Sequence, residues 1–271
     1  MNTAVRDDDT LPSDLARSLG RSVRSWAMGE TSVSSWAAAS ETGLQRSHNE
    51  DAWGQRENSV FVVADGMGGR PGGAVAATAA VAALLDELAG DISSRGAAVD
   101  WRQVMHRAND AVVAAGRRAG HEHVGAAVAI VHSGANGTVV AHAGDVRVYR
   151  LRDDAREAIT SDHTVATELE FAGLRPDDVP DARGRLRALS SFLGDGAAWQ
   201  AFSVRMLDIR RGDRLVMCSD GVYRHARADT WRGAAATRSC QDLVDHLLTS
   251  ARDARGPDDA TALALRIGVV P

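Results

Sequence analysis

After residue 34, most of the chain alternates short apolar runs with polar or turn-forming stretches. Many of these runs are rich in Val, Leu and Ile and alternate apolar with polar positions, as half-buried strands do. Asn136 and Gly137 separate two of the runs and are a strong signal for a hairpin turn. The pattern predicts strands at residues 35–40, 59–64, 126–133, 137–143, 146–152, 199–207, 214–218 and 260–267.

Longer stretches place apolar residues at helical spacing. In the clearest of them, Trp101, Val104, Met105 and Val112 fall on one helical face. The spacing predicts helices at residues 73–88, 101–119, 164–172 and 240–252. Two long neighbouring helices among hairpin strands indicate an α+β layered domain and not a βαβ repeat. Residues 174–190, with two prolines and many charges, are predicted to form a mobile surface segment.

Residues 1–34 differ from the rest of the chain. Leu19, Val23 and Trp26 recur there at near-helical spacing, with arginines between them. We interpret this part as an N-terminal tail with one amphipathic helix that lies on the domain. The alternative is a helix that docks on a partner or on a membrane surface. Residues 35–271 are then predicted to form one domain, since no low-complexity stretch divides them.

The composition is that of a soluble globular protein, with 44% hydrophobic and 25% charged residues. A net charge of −5 gives no reason to expect nucleic acid as a partner. No apolar stretch approaches the ~20 residues that a membrane span needs, and the N-terminus does not resemble a signal peptide. We therefore expect a cytoplasmic protein. With only Cys218 and Cys240, neither a disulfide framework nor a cysteine-rich zinc site organises the fold.

Lysine is absent from the chain, so all 31 of its Lys and Arg positions are arginines. This excludes mechanisms that need a lysine, such as Schiff bases, Ser-Lys dyads and the Walker-A phosphate site. Phosphate recognition stays open, because the planar guanidinium group can donate two parallel hydrogen bonds to a phosphate.

Acidic residues recur at or near the ends of the predicted strands. They are Glu50, Asp51, Asp65, Asp145, Asp220, Asp258 and Asp259. In an antiparallel sheet the end of one strand lies beside the start of its neighbour, so these acids can converge on one rim. Clustered carboxylates repel each other unless a cation neutralises them, and hard oxygen ligands suit Mg²⁺ or Mn²⁺. A single Asp-Gly is an ordinary turn, but the recurrence makes this rim a candidate metal site.

Six blocks of sequence, which contain these acids, resemble those of a known protein family. They are ETGLQRSHNEDA (41–52), VFVVADGMGG (60–69), VVAHAGDVRVYRL (139–151), ITSDHT (159–164), GDRLVMCSDG (212–221) and PDDATALALRI (257–267). In this order they resemble the metal-dependent protein phosphatases of the PP2C (PPM) family, in their short bacterial form. The resemblance covers roughly residues 35–269. It implies a four-layer αββα sandwich, in which helix pairs flank a central antiparallel β-sandwich.

The resemblance also implies a role for each acidic residue of the rim. The implied metal ligands are Glu50, Asp51, Asp65, the carbonyl of Gly66, Asp145, Asp220 and Asp258. Asp65 would bridge two metal ions, and Glu50 would belong to the second of them. Asp145 would join Asp220 at a third, weaker metal site. Arg46, four residues before Glu50, would bind the substrate phosphate.

The chemistry implied by the resemblance is hydrolysis of phosphoserine and phosphothreonine in proteins. Two Mn²⁺ or Mg²⁺ ions would activate a bridging water for attack on phosphorus, with Asp65 and Arg46 as the catalytic residues. A Ser/Thr protein kinase, or one of its targets, is the natural partner of such an enzyme.

The chain departs from the family pattern at several positions. Gly125 is followed by Ala126 and Ala127 where the family often has two threonines, and Asp259 replaces the usual Asn. Met67 stands where some relatives have a His, so no general acid is assigned. None of these changes removes a principal metal ligand. They bear on substrate preference and on the third metal.

Three other functions were considered. Cys218 and Arg224 satisfy the C-x₅-R signature of cysteine-dependent phosphatases, but Asp220 between them would repel both thiolate and phosphate. A zinc hydrolase is disfavoured because no H-E-x-x-H or comparable spacing occurs. A non-catalytic module that binds phosphoproteins remains the alternative from another class. The full set of metal-ligand acids favours the enzyme over that module.

Overall fold

Two antiparallel sheets form the centre of the protein in this computed structural model. The structure describes residues 23–26, 33–67, 72–93, 99–134, 137–153, 155–175, 178–179, 184–194 and 198–268, with the backbone alone for residues 23–26 and 90–93. The strands are β1 Val23–Trp26, β2 Val33–Glu41, β3 Asp51–Arg56, β4 Val60–Met67, β5 Gly125–Gly134, β6 Gly137–Ala143, β7 Arg147–Arg152, β8 Ala155–Ala158, β9 Ser203–Leu207, β10 Arg214–Cys218 and β11 Ala260–Ile267. One sheet has the order β1-β2-β11-β10-β7-β8, and the other has the order β3-β4-β5-β6-β9.

Two pairs of helices cover the outer faces of the sheets. The helices of the described chain are α1 Gly72–Ser93, α2 Trp101–Arg118, α3 Val165–Phe171, α4 Asp220–Tyr223, α5 Ala228–Ala236 and α6 Cys240–Asp253. The pair α1 and α2 shares one apolar cluster with the five-stranded sheet. The pair α5 and α6 shares another with the six-stranded sheet. A third cluster fills the space between the sheets, so the expected four-layer αββα sandwich is confirmed.

Alternation along β4 shows how one strand serves two of these layers. Val60, Val62 and Ala64 face α1 and α2, whereas Phe61 and Val63 face the other sheet. All five are buried, because successive side chains of a strand point to opposite faces and both faces are covered.

Most predicted elements are present, and the exceptions have physical causes. The predicted strand 199–207 is split, with a 3₁₀ turn at Ala198–Ala201 before β9 begins at Ser203. The short elements β3, β8 and α5 were not predicted from the sequence. β3 has the sequence DAWGQR, which contains no Val or Ile and does not match a strand composition.

The N-terminal prediction is wrong where the structure can test it. Val23 and Trp26, assigned to an amphipathic helix, lie in β1, which pairs antiparallel with β2. This pairing satisfies the backbone groups on the outer edge of β2, which a helix at this position would leave open. The six-stranded sheet thus includes residues before the predicted domain start at 35. Val33 and Ser34 of the predicted tail belong to β2, and tail residues 1–22 and 27–32 lie outside the described part of the chain.

The described part of the segment 174–190 lies at the surface and is hydrogen-bonded to the chain around α3. The Val165 amide donates to the Ala188 carbonyl, and the Ser190 amide donates to the His163 carbonyl. Residues 184–190 are exposed or half-buried. The backbone bonds hold this part of the segment beside the loop that precedes α3.

One helix meets the length and composition of a membrane span, contrary to the expectation that no stretch approaches it. Gly72–Ala89, within α1, is long and apolar enough to cross a membrane on those criteria alone. Half of this window is buried, and Leu84, Leu85 and Leu88 are fully enclosed in the cluster with α2 and the five-stranded sheet. The apolar composition of α1 therefore reflects its position as a core helix of the domain.

Candidate metal centre

The candidate site begins with two acids that face each other across a strand pair. Asp51 starts β3 and is the register partner of Asp65, near the end of β4. Like charges at directly opposite positions destabilise a sheet. Burial, followed by the carboxylates of Asp51, Asp220, Asp145 and Asp258, raises the pKa of Asp65 well above its ordinary value. The structure therefore brings these predicted ligands, from distant parts of the sequence, around Asp65.

Asp51 also links the two sheets. Its carboxylate is buried and accepts a 2.7 Å hydrogen bond from the Ser219 hydroxyl, directly after β10. Ser219 Oγ in turn accepts a 3.0 Å hydrogen bond from the Thr261 amide on β11. Burial raises the pKa of Asp51 to about 7, with Asp259 and Asp220 adding to the effect and the Thr261 and Ser219 hydrogen bonds opposing it. Ser219 is a positioning residue that the sequence did not reveal.

Asp145 and Asp220 share one arginine. Arg224 Nη1 is 2.6 Å from Asp220 Oδ2, and Arg224 Nη2 is 3.8 Å from Asp145 Oδ2. Burial raises the pKa of Asp220 to about 6, with Asp145 and Asp258 adding to it and Arg224 opposing it. Burial and the nearby Asp162 raise the pKa of Asp145 as well.

Glu50 presents a buried oxygen without a hydrogen bond. Its Oε1 atom accepts no hydrogen bond from any residue that the structure describes, and His48 Nε2 lies 3.7 Å away. A Cβ built on Gly73 would lie 2.7 Å from this oxygen and 3.0 Å from the Gly66 carbonyl oxygen. Two hard oxygen donors therefore converge on one point, and only a glycine at position 73 leaves that point open. This donor set fits Mn²⁺ or Mg²⁺.

Arg46 lies against two of the predicted metal ligands. Its Nη1 is 3.1 Å from Glu50 Oε2, and its Nη2 is 2.6 Å from Asp258 Oδ1. Its Nε also donates to Asp258 Oδ1 at 2.9 Å. The guanidinium group thus neutralises both carboxylates and does not face open space, as a free phosphate-binding residue would.

Asp259 organises the loop that carries Arg46 and Glu50. Its Oδ1 accepts a 2.9 Å hydrogen bond from the Gly43 amide, and its Oδ2 accepts a 2.7 Å hydrogen bond from the Glu50 amide. The side chain is buried. From the sequence it appears as one extra negative charge, whereas in the structure both of its oxygens hold the backbone of this loop. An Asn could accept only one of these two bonds through its amide oxygen.

The predicted ligands meet at one rim without closing on a common point. Among the described residues, no three His, Cys, Asp or Glu side chains are positioned to hold a metal ion jointly. The ion pairs give the reason, because Arg46 binds Glu50 and Asp258 while Arg224 binds Asp220 and lies beside Asp145.

The structure excludes a cysteine nucleophile. Cys218 is fully buried in β10, and burial raises the pKa of its thiol to about 12. A thiol with this pKa is not ionised at neutral pH, so the C-x₅-R match carries no function.

Two stacked histidines support the turn before Asp145. The rings of His142 and His163 lie 4.4 Å apart and nearly parallel. His163 Nδ1 is 3.3 Å from the Gly144 amide, and burial, followed by His142, lowers the pKa of His163 to about 4. His163 is therefore neutral at pH 7 and accepts this hydrogen bond, which positions the residue before Asp145.

The fold and the rim of acids define a carboxylate-rich αββα protein, and comparison with known proteins gives its family. A family model described as Protein phosphatase 2C matches residues 44–255, most of the chain. The protein belongs to the protein phosphatase 2C family.

Three relatives illustrate the match. The chain is 30% identical over 243 residues to the Ser/Thr protein phosphatase PstP of Mycobacterium tuberculosis, covering 86% of this chain and 45% of PstP. It thus spans about half the length of that relative. The PPM Ser-Thr phosphatase MsPP of Mycobacterium smegmatis, solved with cacodylate, has a TM-score of 0.73 and 28% identity, covering 88% of this chain and 100% of MsPP. The catalytic domain of a PstP, solved with two manganese ions, has a TM-score of 0.67 and 25% identity, covering 86% and 98%.

Proposed function

We propose that this chain is a metal-dependent protein phosphatase that hydrolyses phosphoserine and phosphothreonine in proteins. The observation that carries the proposal is the unpartnered, buried Glu50 oxygen, which converges with the Gly66 carbonyl beside the acids around Asp65. A buried carboxylate oxygen without a hydrogen bond is costly, and a divalent cation offsets that cost. The two manganese ions in the related PstP structure support Mn²⁺ or Mg²⁺ as the cofactor here.

The proposed chemistry needs no protein nucleophile. These acids would hold two divalent cations, which would lower the pKa of a water molecule and so make hydroxide available for attack on phosphorus at neutral pH. Asp65, whose pKa is raised by burial and by Asp51, Asp220, Asp145 and Asp258, would hold both ions. Glu50 and the Gly66 carbonyl would be ligands of one ion, and Asp220 and Asp258 ligands of the other.

Arg46 is proposed to exchange partners when metal binds. In this structure it pairs with Glu50 and Asp258. Once cations take over that role, its guanidinium group is available to bind phosphoryl oxygens and stabilise their charge in the transition state. The Arg46 side chain is one-third exposed, so it has room to turn outward.

The segment 174–190 is proposed to shape substrate choice. Leu186 and Arg187 from this segment line a cavity of about 560 Å³ that also contacts Asp145 and Arg224. A phosphorylated peptide bound at the rim would extend across this cavity. By family analogy the substrates are phosphoproteins of a Ser/Thr kinase pathway, and the proposed location is the cytoplasm.

Hydrolysis of a phosphothreonine peptide tests this proposal against the non-catalytic alternative. We expect turnover with Mn²⁺, none with excess EDTA, and recovery when Mn²⁺ is restored. A folded, Mn²⁺-loaded chain that binds the phosphopeptide but releases no phosphate would support the binding module in place of the enzyme.

A further inference from the structure

Arg224 lies between the two acids that the family resemblance assigns to a third metal ion. Its Nη1 is 2.6 Å from Asp220 Oδ2, and its Nη2 is 3.8 Å from Asp145 Oδ2. We propose that the Arg224 guanidinium takes the place of the third cation, so that this chain binds two divalent ions and not three. This inference rests on the proposed metal-dependent function, which it deepens.

The position of Arg224 follows from the local sequence. Asp220 begins α4, and the Arg224 amide donates to the Asp220 carbonyl at 3.0 Å, so the two residues are one helical turn apart. Residues at this spacing share a helix face, and an acid followed four residues later by a base is the favourable order. The ion pair is therefore part of the helical turn itself.

Neighbouring side chains hold the other acid in the same arrangement. The Tyr223 hydroxyl donates to Asp145 Oδ2 at 3.2 Å. The Tyr223 ring in turn packs against Arg147, whose guanidinium carbon lies 3.7 Å from the ring centroid. Arg147 is itself fixed by a two-pronged pair with Asp162 at 2.7 and 2.8 Å. Asp145 thus receives a hydrogen bond from a supported tyrosine in addition to the nearby Arg224 charge.

The contrast with Glu50 distinguishes this pair of acids from the proposed two-metal site. Glu50 keeps a buried oxygen without a partner, whereas no carboxylate oxygen of Asp145 or Asp220 is buried and unpartnered among the described residues. A divalent cation placed between Asp145 and Asp220 would also meet the Arg224 charge a few ångströms away. Repulsion at that distance is strong in a partly buried site. The residues at this position therefore do not fit a third metal ion.

Counting bound Mn²⁺ by equilibrium dialysis and elemental analysis tests the inference without relying on activity. We expect two ions per wild-type chain up to millimolar Mn²⁺, and a third, weaker ion in Arg224→Gln. Adding Asp145→Asn to that variant should return the count to two. Arg227→Gln is the matched control, because Arg227 is on the same stretch of chain but, among the described residues, pairs with the exposed Asp229, at 3.9 Å.

Each outcome of this count has a distinct meaning. Three ions on the wild type, or no third ion on a folded Arg224→Gln chain, would overturn the inference and leave the proposed function intact. If the folded wild-type chain binds no Mn²⁺, the proposed metal-dependent function is contradicted instead. If Arg224→Gln does not fold, the single variant Asp145→Asn tests the inference. This variant should still bind two Mn²⁺ ions per chain, and the loss of one ion would contradict the inference.

Discussion

At the scale of single residues, two arginines pair with the acids of the candidate site. Arg46 pairs with Glu50 and Asp258, and Arg224 pairs with Asp220 beside Asp145. Both keep buried or half-buried carboxylates from repelling one another. The two differ in what else surrounds them, since Arg46 lies beside the unpartnered Glu50 oxygen and Arg224 lies in a completed network.

Arg46→Ala should separate metal binding from turnover. Removing the guanidinium group frees Glu50 and Asp258 for a cation, so Mn²⁺ affinity should be equal or higher. The kcat/KM for a phosphopeptide should fall about 10–100-fold, the worth of a hydrogen bond to a charged group. Titration calorimetry and steady-state kinetics on one preparation measure both quantities. A parallel loss of Mn²⁺ affinity and turnover would show that Arg46 acts only by organising the acids.

The acidic residues of the rim could be predicted from the sequence more readily than the residues with which they form hydrogen bonds. Asp65, Asp220 and Asp258 stand at strand junctions, and those positions are visible in the pattern of apolar runs. The hydrogen bonds of Asp259 to Gly43 and Glu50 join residues more than 200 positions apart, so no local pattern shows them.

At the scale of elements, the start of α1 shapes the candidate site. Gly73 is the second residue of α1 and lies against Glu50 Oε1 and the Gly66 carbonyl. Glycine is a poor helix former, so its use here reflects the space needed beside these oxygens.

Gly73→Ala should weaken metal binding and leave the fold intact. The added Cβ would occupy the point where the two oxygens converge, and we expect at least a tenfold loss of Mn²⁺ affinity. Helix propensity favours Ala over Gly by about 1 kcal/mol, so the metal-free thermal midpoint should not fall far. Gly72→Ala is the matched control, because its Cβ would meet Val124 and His121 and no metal ligand. Unchanged Mn²⁺ affinity in Gly73→Ala would show that Glu50 Oε1 and the Gly66 carbonyl do not bind the metal ion beside Gly73.

The elements also show where sequence patterns fail. The strands with Val-rich alternation, such as β4, were predicted because both faces of the sheet demand apolar residues. The three-residue spacing of Val23 and Trp26 places both on one face of a helix and does not match the two-residue period of a strand, so it predicts a helix where β1 forms. The pairing with β2 decides between the two, and such long-range pairing is not encoded in local spacing.

At the scale of the whole molecule, the rim of acids couples stability to pH. Burial raises the pKa of Asp51 to about 7 and that of Asp220 to about 6. An unfolded Asp has a pKa of ~4, so between that pH and neutrality the folded chain keeps protons that the unfolded chain has released. The free energy of unfolding of the metal-free protein should therefore fall as pH rises through this window.

Urea unfolding in EDTA across this pH window measures the effect. Mn²⁺ should reverse the trend, because the cation binds the ionised carboxylates of the folded chain and its stabilisation grows with pH. Asp51→Asn should flatten the metal-free pH dependence, since it removes the group with the pKa near 7. A metal-free stability that rises with pH across the window contradicts the proposed electrostatics of the rim.

The proposed metal site depends on Asp65, which lies near acids that both sheets contribute. The most direct test is the phosphothreonine-peptide turnover of Asp65→Asn, measured beside Asp110→Asn, an exposed carboxylate on α2. With saturating Mn²⁺, we expect kcat to fall at least about 100-fold in Asp65→Asn and to stay unchanged in the control. A folded Asp65→Asn chain with wild-type turnover and wild-type Mn²⁺ affinity would contradict the account.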